Sequence, residues 1–339
     1  MDSDLFFNLI NDEKKVNQHL YTAGAYWKHK NKRTIYQIKK KGISKFRGID
    51  SGVGTSYTDS IVYDIRNEYN IKGRIVSSLL SLPYLKSVFD GQLKITKSLI
   101  EKSINYQQMI FSKSNRVKEL VNKYNFNDTT EFGCVQKFNL NKKFYSTHYL
   151  EIANRVENFS KFLNFNNFKS YFEIGGGFGS NIHFLLQNFK NIRKVIYIDI
   201  VPNIYVGTLY LKNFFNNHVI DYTQTKKMEK IKFTDDESLE IVCIPPWEIA
   251  KLDCKVDHFH NSASFVEMPK DVVLNYINYI KKFNTQSVSL LSYSKYNPEN
   301  TINPKSLGDF FDKKLDYYEM LYIIPELKPS FHYFVGKLN

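Results

Sequence analysis

An open, mostly parallel α/β sheet, preceded by a mainly helical region and closed at one edge by an antiparallel hairpin, is the fold class the sequence predicts. Three observations predict it. From about residue 148, short apolar β-branched runs alternate with segments of helical periodicity. One of these strand-to-helix joins, "FEIGGGFGSNIHFLL", packs Gly175, Gly176, Gly177 and Gly179 into a single turn. Near the end, "LDYYEMLYIIPEL" and "SFHYFVGKLN" are joined only by "KPS". That join forces antiparallel pairing, because a parallel crossover needs about a dozen residues.

The elements follow in order. Before about residue 130, "DLFFNLINDEKKVNQHL" and the long stretch from Gly73 to Tyr124 place apolar residues at three- and four-residue steps, the spacing of helices. Between them "GIDSGVGTSYTDS" reads as a loop, with Thr58 or Asp59 able to cap the next helix. The segment "YNFNDTTEFGC" marks an exit, so a helical region over residues 1–130 and a sheet domain over 131–339 are expected. In the second part, "HYLEIANRVENFSKFL" is an amphipathic helix and "SYFEIGG" the first strand. "KVIYIDI" is the second strand and "IYVGTLYLKNFF" the helix after it. "SLEIVCIPP", "KVDHFHNSAS" and "QSVSLLSYSK" supply three more strands, the last two separated by the helix "KDVVLNYINYIKKF". With the hairpin the sheet reaches seven strands.

Composition narrows the class. At 339 residues and 42% hydrophobic, the chain can bury a proper core and is not a disordered polymer. The start "MDSDLFFNLINDEKK" lacks the basic and apolar regions of a signal peptide, and no run approaches the 18 or so apolar residues of a membrane span. Cys134, Cys243 and Cys254 fit neither a disulfide framework nor a zinc site, so a cytoplasmic setting is expected. The net charge of +13 is spread through a chain rich in Asn, Ile, Tyr and Phe. Its densest basic run, residues 26–48, interleaves aromatics with lysines as RNA-contacting segments do, but it reads more simply as a solvated helix face, which weighs against nucleic acid.

Ligands of such sheets sit outside the carboxyl ends of the strands. There Gly175, Gly177 and Gly179 are spaced as E-x-G-x-G-x-G from Glu173, and Asp199 ends the next strand about 20 residues later. The glycines admit a ligand close to the backbone, and a carboxylate in that place accepts bonds from ribose hydroxyls. The dinucleotide pattern G-x-G-x-x-G is not what stands here. The order E-I-G-G-G-F-G resembles that of class I S-adenosylmethionine-dependent methyltransferases, and the reversed terminal hairpin resembles the seventh strand of that Rossmann-like methyltransferase sheet. The resemblance implies S-adenosyl-L-methionine as cofactor, with contacts from Glu173, Gly175, Gly176, Gly177, Gly179, Asp199, Ile200, Pro246, Trp247 and Asn261. Trp247, in "PPWEI" after the third strand, is placed to stack on or cover an adenine, or to wedge between sheet and lid.

A narrower resemblance is carried by a succession of segments: residues 26–48, "EFGCVQKFNLNKKFYSTHYLEIANRV", "FEIGGGFGSN", "VIYIDIVPNIYVGTLYL", "CIPPWEI" and "HNSASFVEMP". Together they resemble the sugar O-methyltransferases found among bacterial capsule and O-antigen genes, which implies a sugar or sugar-nucleotide hydroxyl as acceptor in surface polysaccharide biosynthesis. Where members of that family carry a second Pro-acidic pair after the second strand, "DIVPN" stands here.

Methyl transfer to a hydroxyl needs alignment and a base for the hydroxyl proton. Alternation along "VDHFHNSAS" puts Asp257, Phe259 and Asn261 on one face and His258, His260 and Ser262 on the other. His260 is the first candidate base, Glu267 the alternative base or acceptor-orienting group, and His148 the third; each residue type also serves ordinary structural roles. No metal site is expected, since "HNSAS" and "LLSYSK" lack the carboxylates it would need. Two other readings stay open: the same chemistry on RNA or a small phosphorylated metabolite, and a non-catalytic partner that kept the fold. Oligomeric state is not legible.

Overall fold

The computed structural model describes residues 2–49, 64–293, 316–319 and 331–337. The capping pair Thr58 and Asp59 lies outside them. In chain order the elements are α1 (Ser3–Glu13), α2 (Ala25–Lys41), α3 (Ile71–Leu79), α4 (Pro83–Lys113), α5 (Asn115–Lys123), the strands β1 (Phe138–Leu140) and β2 (Lys143–Tyr145), and α6 (Thr147–Phe159). There follow β3 (Ser170–Ile174), α7 (Ser180–Asn188), β4 (Lys194–Ile198), α8 (Asn203–Phe215), β5 (Val219–Ile220), α9 (Tyr222–Thr225) and β6 (Glu240–Ile244). The chain continues through β7 (His258–Ser262), α10 (Lys270–Lys282), β8 (Ser287–Tyr293), β9 (Asp316–Glu319) and β10 (Phe331–Lys337).

The chain divides into two compact units, residues 27–151 and residues 2–26 with 152–339. The boundary expected at 130/131 is therefore displaced at both ends. α1 belongs with the sheet, because its buried Leu5, Phe6 and Leu9 pack there and Phe6 meets Tyr205 of α8 at 4.7 Å between ring centroids. The β1–β2 hairpin belongs with the helices. It was invisible to pattern reading because its turn residues Asn141 and Lys142 take positive φ without the glycine that usually announces such a turn.

The helical unit is held by Arg47, which donates to the Thr129 carbonyl at 2.8 Å and to Ser146 Oγ at 3.2 Å and lies over the Tyr149 ring. In the other unit one sheet of eight strands runs β5-β6-β4-β3-β7-β8-β10-β9. The six strands from β5 to β8 are parallel, and β10 pairs antiparallel with both β8 and β9. This is the expected α/β sheet with its reversed hairpin; the additional strand is the two-residue edge β5, too short to show a period. One face carries Phe172, Ile174, Ile196, Ile198, Phe259 and Val288 against α10. The opposite face carries Tyr171, Glu173, Tyr197, His258 and His260. Two of its rings bear on α6 and α8: Phe159 on His260, and Tyr197 on the space where a Gly207 side chain would stand. After β3 the chain builds β4, β5 and β6 on one side of it and then crosses to β7 on the other, so the topological switch point lies at the carboxyl end of β3.

Candidate active site

The glycine turn leaves β3 at that switch point. Gly175 donates its N–H to the Ile198 carbonyl at 2.8 Å, continuing the parallel ladder one residue past the strand. Gly177 has φ +63°, a region costly for other residues, and a Cβ there would meet nothing within 4 Å, so the turn opens to free space at this residue. Behind the turn, Tyr197 reaches up from β4 and donates its hydroxyl to the Gly177 carbonyl at 2.5 Å. The reach depends on Gly207 in α8, where a Cβ would lie 2.3 Å from the Tyr197 oxygen.

Two carboxyl groups flank the turn, both on strand ends. Asp199 Oδ2 accepts from the Gly177 N–H at 2.8 Å, and Oδ1 accepts from the Ile200 N–H at 2.7 Å and the Asn203 amide at 3.4 Å. Burial pushes the Asp199 carboxyl up to about 7, against the pull of these three donors. Glu173 is fully buried; its Oε1 accepts from Asn181 Nδ2 at 2.6 Å, while its Oε2 has no hydrogen-bond partner. Burial pushes this carboxyl up to about 7 as well, opposed by Asn181 and by the nearby Arg155. Arg155 of α6 is held by Ser262 Oγ at 2.6 Å, and with Asn181, Tyr171 and His260 it lines a small cavity beneath β3. Glu173 Oε2 is thus a buried oxygen with unused acceptor capacity, beside a turn open to space.

The β7 side of the site is built as a latch. Asn261 spends both amide hydrogens, on the Ile174 carbonyl at 2.9 Å and Ser264 Oγ at 2.6 Å, and its Oδ1 accepts from the Phe265 N–H at 3.1 Å. Its function in the structure is to fix the ends of β3 and β7 together, leaving no amide hydrogen for a cofactor. Ser264 sits so close to the turn that a Cβ on Gly175 would fall 2.2 Å from its Oγ.

His260 is not at the open rim, contrary to expectation. The alternation along β7 holds, and the face that carries His260 looks toward α6. Its ring lies edge-on to Phe159 and stacks on Tyr171, and Nδ1 is 2.8 Å from Ser289 Oγ. Burial and Arg155 push it down to about 3. His258 shares the same hydroxyl through Nε2 at 2.8 Å and contacts Ser287 Oγ through Nδ1 at 2.8 Å. Glu267 lies in the short turn after β7, half-buried and next to Met268, which faces Gly175. His148 belongs to the helical unit, in the first turn of α6, half-buried with its ring edge-on to Tyr149.

Trp247 follows β6 in a short 3-10 turn behind the buried Pro246. Its indole N–H donates to the Tyr222 hydroxyl at 3.2 Å, and that hydroxyl donates to Asp12 of α1 at 3.1 Å. Burial works to raise Asp12, but bonds from Lys15, Lys226 and Tyr222 outweigh it and hold the carboxyl at about 2. Sequence reasoning missed Tyr197, Asn203, Asn181 and Arg155. Asn181 could have been found as a polar residue on the first turn of the helix the glycines open; Arg155, on a helix preceding β3, gave no local signal.

No protein-family model matches the chain, and no curated protein sequence matches it. Solved structures do. Magnesium protoporphyrin IX methyltransferase of Synechocystis PCC 6803, solved with bound S-adenosylmethionine, is 10% identical over 56% of this chain and 78% of its own, with a TM-score of 0.37. Mitomycin 7-O-methyltransferase is 10% identical over 57% of this chain and 55% of its own, with a TM-score of 0.38. The methyltransferase domain of bacterial CtHen1-CN is 10% identical over 55% of this chain and 97% of its own, with a TM-score of 0.35. The fold itself rests on the strand order: a doubly wound, Rossmann-like sheet with an antiparallel terminal hairpin and a helical unit before it.

Proposed function

We propose that the chain is an S-adenosylmethionine-dependent O-methyltransferase whose acceptor is a hydroxyl of a sugar or sugar nucleotide. One observation supports the first half most: the unpaired Glu173 Oε2, near the end of β3, stands just before the turn that is open at Gly177, with Asp199 at the end of the next strand. These residues fit the cofactor. Asp199 would take the ribose hydroxyls with its remaining lone pairs, the Gly175–Gly179 turn would lie under the amino-acid portion, and Ile200, Pro246 and Trp247 would border the base. When bound, the cofactor supplies an activated methyl group on its sulfonium.

The chain's own residues then orient the acceptor and take its proton. Glu267 is the base in this reading, because it is the carboxylate of the short turn that follows β7, whereas His260 is bonded to Ser289 and packed against Phe159. The sugar acceptor is supported by the succession of segments that resembles sugar O-methyltransferases. The test is methyl incorporation from labelled cofactor into surface glycan, followed by mass spectrometry with and without the protein. Loss of one methyl group from one sugar is the expected result. Glu267→Gln should lower kcat about 100-fold or more with cofactor affinity unchanged. Unchanged glycan sinks the sugar reading, and a fully active Glu267→Gln sinks the base.

A further inference from the structure

α4 is 31 residues long and carries an apolar strip on the side away from its own unit. Leu85, Val88, Ile95, Leu99, Tyr106 and Met109 recur at steps of three, four or seven residues, and all are exposed, Ile95 by 63%, Leu99 by 60% and Tyr106 by 62%. In heptad terms they occupy a and d. The opposite f positions face inward: Ile104 and Phe111 are buried, Phe111 meets Phe138 edge-on at 6.0 Å, and Asp90 pairs with Arg66 at 2.8 Å. The strip from 85 to 109 is about 36 Å long at 1.5 Å per residue. Single exposed apolar residues are ordinary, but six of them along one side of a helix over this length mark an interface.

The geometry points to a second copy of this chain as the occupant, its α4 packed antiparallel on the first about a two-fold axis near residue 97. In that register Leu85 faces Met109 of the other copy, Val88 faces Tyr106, and Ile95 faces Leu99. The two interruptions of the seam, Gln92 and Lys102, fall opposite each other. A heptad repeat reversed on itself always aligns a with d, but nothing in the repeat requires its two polar members to sit at mirror positions. Here they do, so every apolar layer meets an apolar layer and the two polar layers each pair Gln92 with Lys102, the self-complementarity a two-fold interface requires. The flanking e and g positions include Gly91, Thr96, Ser98, Ser103 and Asn105, small and uncharged. Lys86, Lys94 and Lys97 lie outside them, and the one charge within the seam, Lys102, faces the uncharged Gln92 of the other copy.

The inference is independent of the methyl-transfer reading and is tested without cofactor. Sedimentation equilibrium of the full chain at tens of micromolar should give twice the 39.9 kDa chain mass. Ile95→Glu with Leu99→Glu, both on the solvent face, should give a monomer with unchanged circular dichroism. With the exposed Cys134 replaced by Ser, Gln92→Cys together with Lys102→Cys should form a disulfide-linked dimer on mild oxidation, and neither cysteine alone should. A monomeric wild-type chain, a dimer that survives the double glutamate variant, or a dimer linked through Gln92→Cys alone would each overturn the proposal.

Discussion

Glu173 on β3 and His260 on β7 are register neighbours on the same face of the sheet, and burial drives each toward its neutral form, from opposite directions. Their surroundings differ in completeness. His260 and His258 converge on Ser289, whose single proton goes to one ring while the other ring donates to it, so the ladder from Ser287 to His260 closes within the protein. Glu173 keeps one oxygen unspent, and Asp199 keeps lone pairs beyond the backbone donors that hold it. Burial with complete partners stabilises a sheet. Burial with a remainder leaves an acceptor for something outside the chain, as the proposed cofactor site requires.

The strongest way to break this contrast is His258→Leu, which leaves the Ser287 and Ser289 hydroxyls short of partners in the interior. It should cost about 3 kcal/mol of stability in denaturant titration and leave cofactor affinity unchanged by calorimetry. Asp199→Ala should do the reverse where it matters, weakening S-adenosylmethionine by about 2 kcal/mol, roughly 30-fold in Kd. If the histidine variant weakens the cofactor as much as the aspartate variant, the division between ladder and rim is wrong.

pH sharpens the comparison further. The folded-state pKa values of Glu173 and Asp199, about 7, lie above their ordinary 4.5 and 3.8, so the folded chain holds protons that the unfolded chain has released. Their contribution to stability therefore falls as pH rises from about 4 to about 7. A cationic sulfonium cofactor favours the ionised forms, so its affinity should climb over the same window by up to about tenfold per pH unit for each carboxylate it requires. Flat affinity between pH 5 and 8 would remove both carboxylates from the site. The smallest effect is expected from Tyr197→Phe, which frees the Gly177 carbonyl and should cost about 1 kcal/mol in cofactor binding.

Much of this arrangement was legible in the sequence. The parallel strands, the hairpin, the glycine turn and Asp199 all declare themselves through period, spacing and a residue type that the backbone demands. What stayed hidden depends on facing and distance. Alternation assigns His260 to a face, but which helix covers that face is a tertiary fact, and it converts a candidate base into a buried structural ring. Asn261 reads as a rim residue until its amide is seen to be spent on Ile174 and Ser264. The place of α1 beside the sheet rests on contacts across more than two hundred residues, which no local pattern records.

That attachment has a consequence for how the chain comes into being. The bond between Tyr222 and Asp12 spans 210 residues, and the pocket for Leu5, Phe6 and Leu9 does not exist until α8 and α9 have been made. At synthesis rates of roughly 5–20 residues per second, α1 waits on the order of 10–40 s with its apolar face uncovered. Such a long-range closure raises the contact order and makes docking of α1 a late step of folding. The helix made early is thus among the last to find its place, and its apolar stripe is where a chaperone would first take hold.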